Sequence, residues 1–177
     1  MDQQRVTCCV TGGGPAGMML GVLLARIGVK VCVLEKHADF FRDFRGDTIH
    51  PSTLRMMEEL GWLGEFLKLP HQEVQRLYMQ FGDTRVEMAD FGHLPITTKF
   101  IALMPQWDFL NFLAEKGRGY ANFDLKMNTE ATGLIYDGDR VTGVMAKSPS
   151  GPITIKADLV VAADGRHSTL RPAAGFV

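Results

Sequence analysis

Apolar positions divide the chain into short continuous runs and helical patterns. Residues 6–11 form an apolar, β-branched run that breaks into Gly12, Gly13 and Gly14, followed by Pro15, Ala16 and Gly17. Residues 15–27 are mostly good helix formers, and Gly28 is placed to end that helix. Residues 29–34 return to a strand pattern that finishes at Glu35. The three segments predict a β-α-β unit, whose near-continuous apolar strands suit a parallel sheet covered on both faces.

Residues 36–47 are charged and aromatic without a period, and read as loop. A helix is predicted over residues 51–60, ended by Gly61, and a second short one over residues 63–67. Residues 75–81 and 84–89 read as a hairpin turning at Gly82 and Asp83. A strand over residues 100–104 and a helix over residues 106–116 follow. From Asn128 the pattern changes to a small antiparallel meander at residues 129–136, 140–147 and 152–156. Residues 159–163 are a fully apolar strand running into Asp164 and Gly165, with a helix starting near Ser168. The expected fold is α/β, one domain across residues 1–177, with a parallel core sheet and an inserted antiparallel β-meander.

Composition narrows this picture. The chain has 177 residues, 46% hydrophobic and 22% charged, as an ordinary globular domain has. A net charge of -1 gives no electrostatic reason to expect nucleic acid or an anionic membrane as partner. Cys8, Cys9 and Cys32 are an odd set that does not resemble a disulfide framework, and they read as small buried hydrophobes. The longest apolar stretch, residues 18–25, is interrupted by Gly21 and too short to span a bilayer, and the first residues carry no signal-peptide pattern. These features predict a soluble cytoplasmic protein. The five histidines show no metal-ligand spacing, so no metal site is expected.

The candidate chemistry starts at Gly12-x-Gly14-x-x-Gly17, after a strand and at the opening of a helix. Gly12 permits the tight turn, Gly14 lets the backbone approach a pyrophosphate, and Gly17 lets the helix pack closely on the sheet. The start of that helix, where Pro15 and Ala16 stand, then offers phosphates the unpaired N–H groups that follow Pro15 and a positive partial charge. Glu35, at the end of the second strand, is where a carboxylate can accept hydrogen bonds from ribose hydroxyls. A dinucleotide site is expected, and the loop alone leaves NAD and FAD open.

Three further segments bear on that choice. Arg45-Gly46-Asp47-Thr48-Ile49-His50-Pro51-Ser52-Thr53, Met104-Pro105-Gln106, and the run from Asp158 through Asp164-Gly165 to Arg171 each resemble segments of the para-hydroxybenzoate hydroxylase family of flavoprotein monooxygenases. The resemblance extends from Val6 to Gly175 and implies a Rossmann-like, glutathione-reductase-type FAD-binding fold. It implies that Arg45 reaches the pyrophosphate or ribityl region, a task suited to a guanidinium fork. It implies further that Gln106 bonds a phosphate or the ribityl chain and that Asp164, with Gly165, serves FAD and the incoming NAD(P)H. Lys36 over the adenine and the Ala131 backbone at its edge complete the implied set. Asp164 also suits a turn or helix-capping role, which is compatible with the first.

What the family implies is an NAD(P)H-dependent aromatic-ring monooxygenase working through a flavin C4a-hydroperoxide on a small aromatic substrate. Family members run to roughly double this length, so the substrate half is expected beyond these residues. Weak or partner-dependent FAD binding, little coupled hydroxylation and a dimer or a missing C-terminal half as partner are expected of the chain alone. A flavin reductase, a dehydrogenase or a halogenase on the same scaffold, a non-catalytic flavin-binding module and a plain NAD-dependent dehydrogenase are the competing readings. No catalytic residue is assigned.

Overall fold

A computed structural model describes residues 3–41 and 48–176 of the chain. In chain order the elements are β1 (Gln3–Thr11), α1 (Pro15–Arg26), β2 (Val31–Leu34), β3 (Thr48–Ile49), α2 (Pro51–Glu59), α3 (Leu63–Phe66), β4 (Gln72–Val74), β5 (Arg76–Phe81) and β6 (Thr84–Asp90). There follow β7 (Ile101–Leu103), α4 (Gln106–Arg118), β8 (Phe123–Lys126), β9 (Glu130–Asp137), β10 (Arg140–Ser148), β11 (Gly151–Ala162) and α5 (Leu170–Ala173). The chain divides into two compact units, residues 1–41 with 110–177, and residues 42–109.

The first unit is built on a six-stranded sheet in the order β8-β2-β1-β11-β10-β9. β8, β2, β1 and β11 run parallel, while β11, β10 and β9 form the antiparallel meander. The alternation of α1 between β1 and β2 is the expected β-α-β unit, and its strands are apolar because both faces are covered. Cys9, Val10, Val31, Cys32 and Val33 have no exposed surface at all. Val6, Cys9, Cys32, Leu34, Val144, Ala146, Ile155, Ala157 and Leu170 form one core cluster, which joins β10, β11 and α5 to β1 and β2. On α1, Gly17, Met18, Gly21, Val22 and Ala25 are buried, and the larger Met18, Val22 and Ala25 stand at the i, i+4, i+7 spacing of a single helical face. Asn122 fixes the end of α1 by donating from Nδ2 to the Ala25 and Val29 carbonyls at 2.8 and 2.7 Å.

β11 corrects the sequence expectation of two separate strands. It is a single strand of 12 residues, paired antiparallel to β10 from Gly151 to Lys156 and parallel to β1 from Thr154 to Ala162. The polar break at Asp158 sits within it because that carboxylate is exposed and pairs with Arg5 at 3.0 Å.

The second unit holds a three-stranded antiparallel sheet in the order β3-β7-β4, the helices α2 and α3, and the separate hairpin β5-β6. Leu54, Met57 and Phe66 have no exposed surface, and Phe66 meets Phe109 edge to face with ring centroids 5.9 Å apart. No helix among the described residues is long and apolar enough to cross a membrane.

Candidate dinucleotide site

The glycine loop lies between the end of β1 and the start of α1, at the carboxyl end of the parallel strands, where ligands of open α/β sheets bind. Gly12 has φ +103°, a conformation that favours glycine, and its N–H donates to the Leu34 carbonyl at 2.8 Å. A Cβ at Gly12 would collide with the Ala163 carbonyl, and one at Gly17 with the Gly12 carbonyl oxygen. These two glycines are therefore required by the fold itself.

Gly14 differs. It is the N-cap of α1, with φ -72° and ψ 179°, and a Cβ built there would meet nothing within 4 Å. No side chain caps α1, Pro15 occupies its first turn and no acidic residue lies there. The first amides after Pro15, those of Ala16 and Gly17, precede the first helical bond, which runs from Met18 N–H to Gly14 O at 2.9 Å. The space that a Cβ at Gly14 would take is thus open at the uncapped start of α1, and a diphosphate, anionic and an acceptor, suits a positive helix end and its N–H donors.

Glu35 and Asp164 both come to this loop. Glu35 directly follows β2, with only 3% of its surface exposed. Its Oε2 accepts from Gly13 N–H and its Oε1 from His37 N–H, each at 2.9 Å. The Asp164 segment packs directly on Gly12, since a Cβ there would lie 2.9 Å from Asp164 Cα, and Ala163 N–H bonds the Thr11 carbonyl at 2.8 Å. Asp164 Oδ2 accepts from Thr169 and Leu170 N–H at 2.9 and 3.3 Å, so the carboxylate holds the turn that opens α5. Beside it lies a cavity of about 500 Å³ reaching Gly165, Ser168, Arg171 and Phe176.

The remaining candidates are more dispersed. Lys36 is exposed beside Glu35. Ala131 lies on β9, two residues past Thr129, whose N–H donates to the Glu35 carbonyl at 2.8 Å. Gln106 is the first residue of α4 and belongs to the second unit. Arg45 lies outside the described residues. Sequence reasoning missed Gly13, which the glycine pattern leaves as a variable position. The structure makes it the contact of Glu35, with a Cβ position only 2.8 Å from Glu35 Cβ.

The cysteines are unlike reactive thiols. All three are free and buried. Burial, and then the neighbouring Cys8, pushes the Cys9 thiol from its ordinary 9.0 up to about 12, and burial pushes Cys32 further in the same direction.

The fold and this loop together have the arrangement of a dinucleotide-binding α/β domain. The chain belongs to the FAD binding domain family, which matches residues 5–177. It is 32% identical over 176 residues to a 6-methylpretetramide 4-monooxygenase of Streptomyces rimosus, covering 99% of this chain and 42% of that protein. Among solved structures it resembles the p-nitrophenol 4-monooxygenase PnpA of Pseudomonas putida DLL-E4, with a TM-score of 0.85 and 25% identity over 99% of this chain and 44% of that one. The myxobacterial chondrochloren halogenase CndH shares the fold, with a TM-score of 0.84 at 22% identity over 96% of this chain and 39% of that one. The chain thus spans less than half the length of these relatives.

Proposed function

We propose that this chain holds the adenosine and diphosphate end of FAD for an aromatic-ring monooxygenase reduced by NADH or NADPH. The observation that supports it most directly is the contrast within the glycine loop: Gly12 and Gly17 are hemmed in by backbone, while Gly14 faces open space at an uncapped helix N-terminus. In this reading the amides of Gly14, Ala16 and Gly17 face the diphosphate, where the helix dipole favours anionic oxygens. Lys36 and the Ala131 backbone lie toward the adenosine. Asp164 and Gly165 form the turn beside the loop, and Arg45 and Gln106 are the candidates that the family resemblance implies for phosphate and ribityl contacts. Bound FAD supplies the redox and oxygen-activating chemistry, and the chain's own residues supply binding and orientation. The relatives named as monooxygenases support an aromatic substrate.

The test uses the loop's own asymmetry. Gly14→Val should leave the ligand-free fold within about 1 kcal/mol of wild type, since its side chain has room, as judged by urea denaturation. The same variant should weaken FAD binding at least tenfold in a fluorescence titration. Equal FAD affinity in the two proteins would remove the diphosphate from this loop. A halogenase is the second reading, because CndH shares the scaffold. In the longer enzyme, NAD(P)H oxidation matched by hydroxylated product favours the monooxygenase, and chlorinated product favours the halogenase.

A further inference from the structure

We propose that Glu35 is a positioning residue that braces the glycine loop from inside the protein. The carboxylate is almost fully buried, at 3% exposure. Each oxygen accepts a backbone N–H at 2.9 Å, Oε2 from Gly13 and Oε1 from His37. A carboxylate offers several lone-pair directions, but a group so enclosed has little surface left for a ligand.

The surroundings hold this arrangement in place. Glu35 N–H donates to the Lys126 carbonyl at 2.9 Å, and its carbonyl accepts from Thr129 N–H at 2.8 Å, so β8 and the approach to β9 fix its backbone on two sides. The position of a Cβ on Gly13 falls 2.9 Å from Oε2, so the side chain occupies the space that any residue but glycine would need there. Gly13 is itself buried, and without the carboxylate its N–H would be a buried donor lacking this partner. Both bonds run from an N–H to a carboxylate oxygen, and a charge-assisted bond of that kind is stronger than a neutral one.

The consequence is a division of labour among the loop amides. The Gly13 N–H is committed to Glu35, which on the reading above leaves the diphosphate to the amides of Gly14, Ala16 and Gly17. That consequence rests on the FAD reading above; the brace itself exists without any ligand.

Amide hydrogen exchange, followed by NMR on the full 177-residue chain without flavin, tests the brace directly. In Glu35→Gln the side-chain amide must turn an N–H₂ toward one of two donors. Exchange at Gly13, at His37 or at both should then quicken at least tenfold, while Val10 and Val33 in the adjoining strands keep their wild-type rates. Gly13→Ala provides a second route, because its methyl group displaces the carboxylate. It should speed exchange at His37, far away in sequence, and again spare Val10 and Val33. Unchanged exchange at Gly13 and His37 in Glu35→Gln would overturn the proposal, as would a uniform acceleration across the sheet in both variants. Failure of the wild-type chain to bind FAD would count against the function proposed above and leave this result standing.

Discussion

Strand β2 is buried at every position, and β5 is exposed at every position, although both are rich in large apolar side chains. β2 is an interior strand of the six-stranded sheet, paired with β1 on one side and β8 on the other. β5 has one partner, β6, in a sheet of two. On that hairpin the pairing of Met79 with Val86 and of Phe81 with Thr84 places Met79, Phe81 and Val86 on one face, before the register shifts between Leu77 and Tyr78. Phe81 and Met88 there are 58% and 56% exposed. The opposite face is held by charge. Arg76 pairs with Asp90 at 3.2 Å and Glu87 at 3.8 Å, and the Arg85 guanidinium lies 3.8 Å from the Tyr78 ring centroid. Apolar content alone therefore says little about a strand's contribution, and the number of partners and covered faces says much. Two-stranded sheets are marginal in water, and exposed ion pairs add little.

Substitutions should separate the two regions sharply. The largest effect is expected in the sheet. Ile155→Ala deletes a side chain with no exposed surface and should cost about 2–5 kcal/mol in urea unfolding. An intermediate effect should appear at high pH, where the sheet carries buried thiols and the hairpin none. The folded-state value for Cys9 lies above its ordinary 9.0, at about 12, so its contribution is intact below pH 9 and is lost as pH rises toward 12. Each pH unit in that window removes about 1.4 kcal/mol per thiol. Unfolding free energies measured from pH 8 to 11 should fall less steeply in Cys9→Ala than in wild type. The smallest effect belongs to the hairpin: Met79→Thr should change stability by about 0.5 kcal/mol or less, because Met79 is already 45% exposed. A loss from Met79→Thr as large as that from Ile155→Ala would show that the exposed face contributes like a core.

Much of the architecture was legible in the residues. The β1-α1-β2 unit, α2, the hairpin, the meander and the apolar end of β11 each follow from apolar runs, helical spacing or glycine turns. The exceptions share a physical cause. β8 escaped because Asp124 and Lys126 interrupt its pattern; they face polar partners, Asp124 accepting from Gln4 at 2.8 Å and pairing with Lys126 at 3.1 Å. β3 and β4 span only two and three residues, too few to show a period. In the candidate site, Gly12, Gly17 and the position of Glu35 at a strand end were readable from spacing, whereas the use of its carboxylate was not.

The amino-acid order by itself determined the glycine turn, the strand that feeds it and the helix that leaves it, because those depend on backbone freedom and on periodicity over a few residues. Only the folded chain decided that Ala163 and Asp164 press on Gly12, that β11 serves two sheet patterns at once and that Glu35 turns its oxygens toward Gly13 and His37. Those features join residues distant in sequence, and hydrogen-bond geometry and excluded volume between them are set by packing in three dimensions.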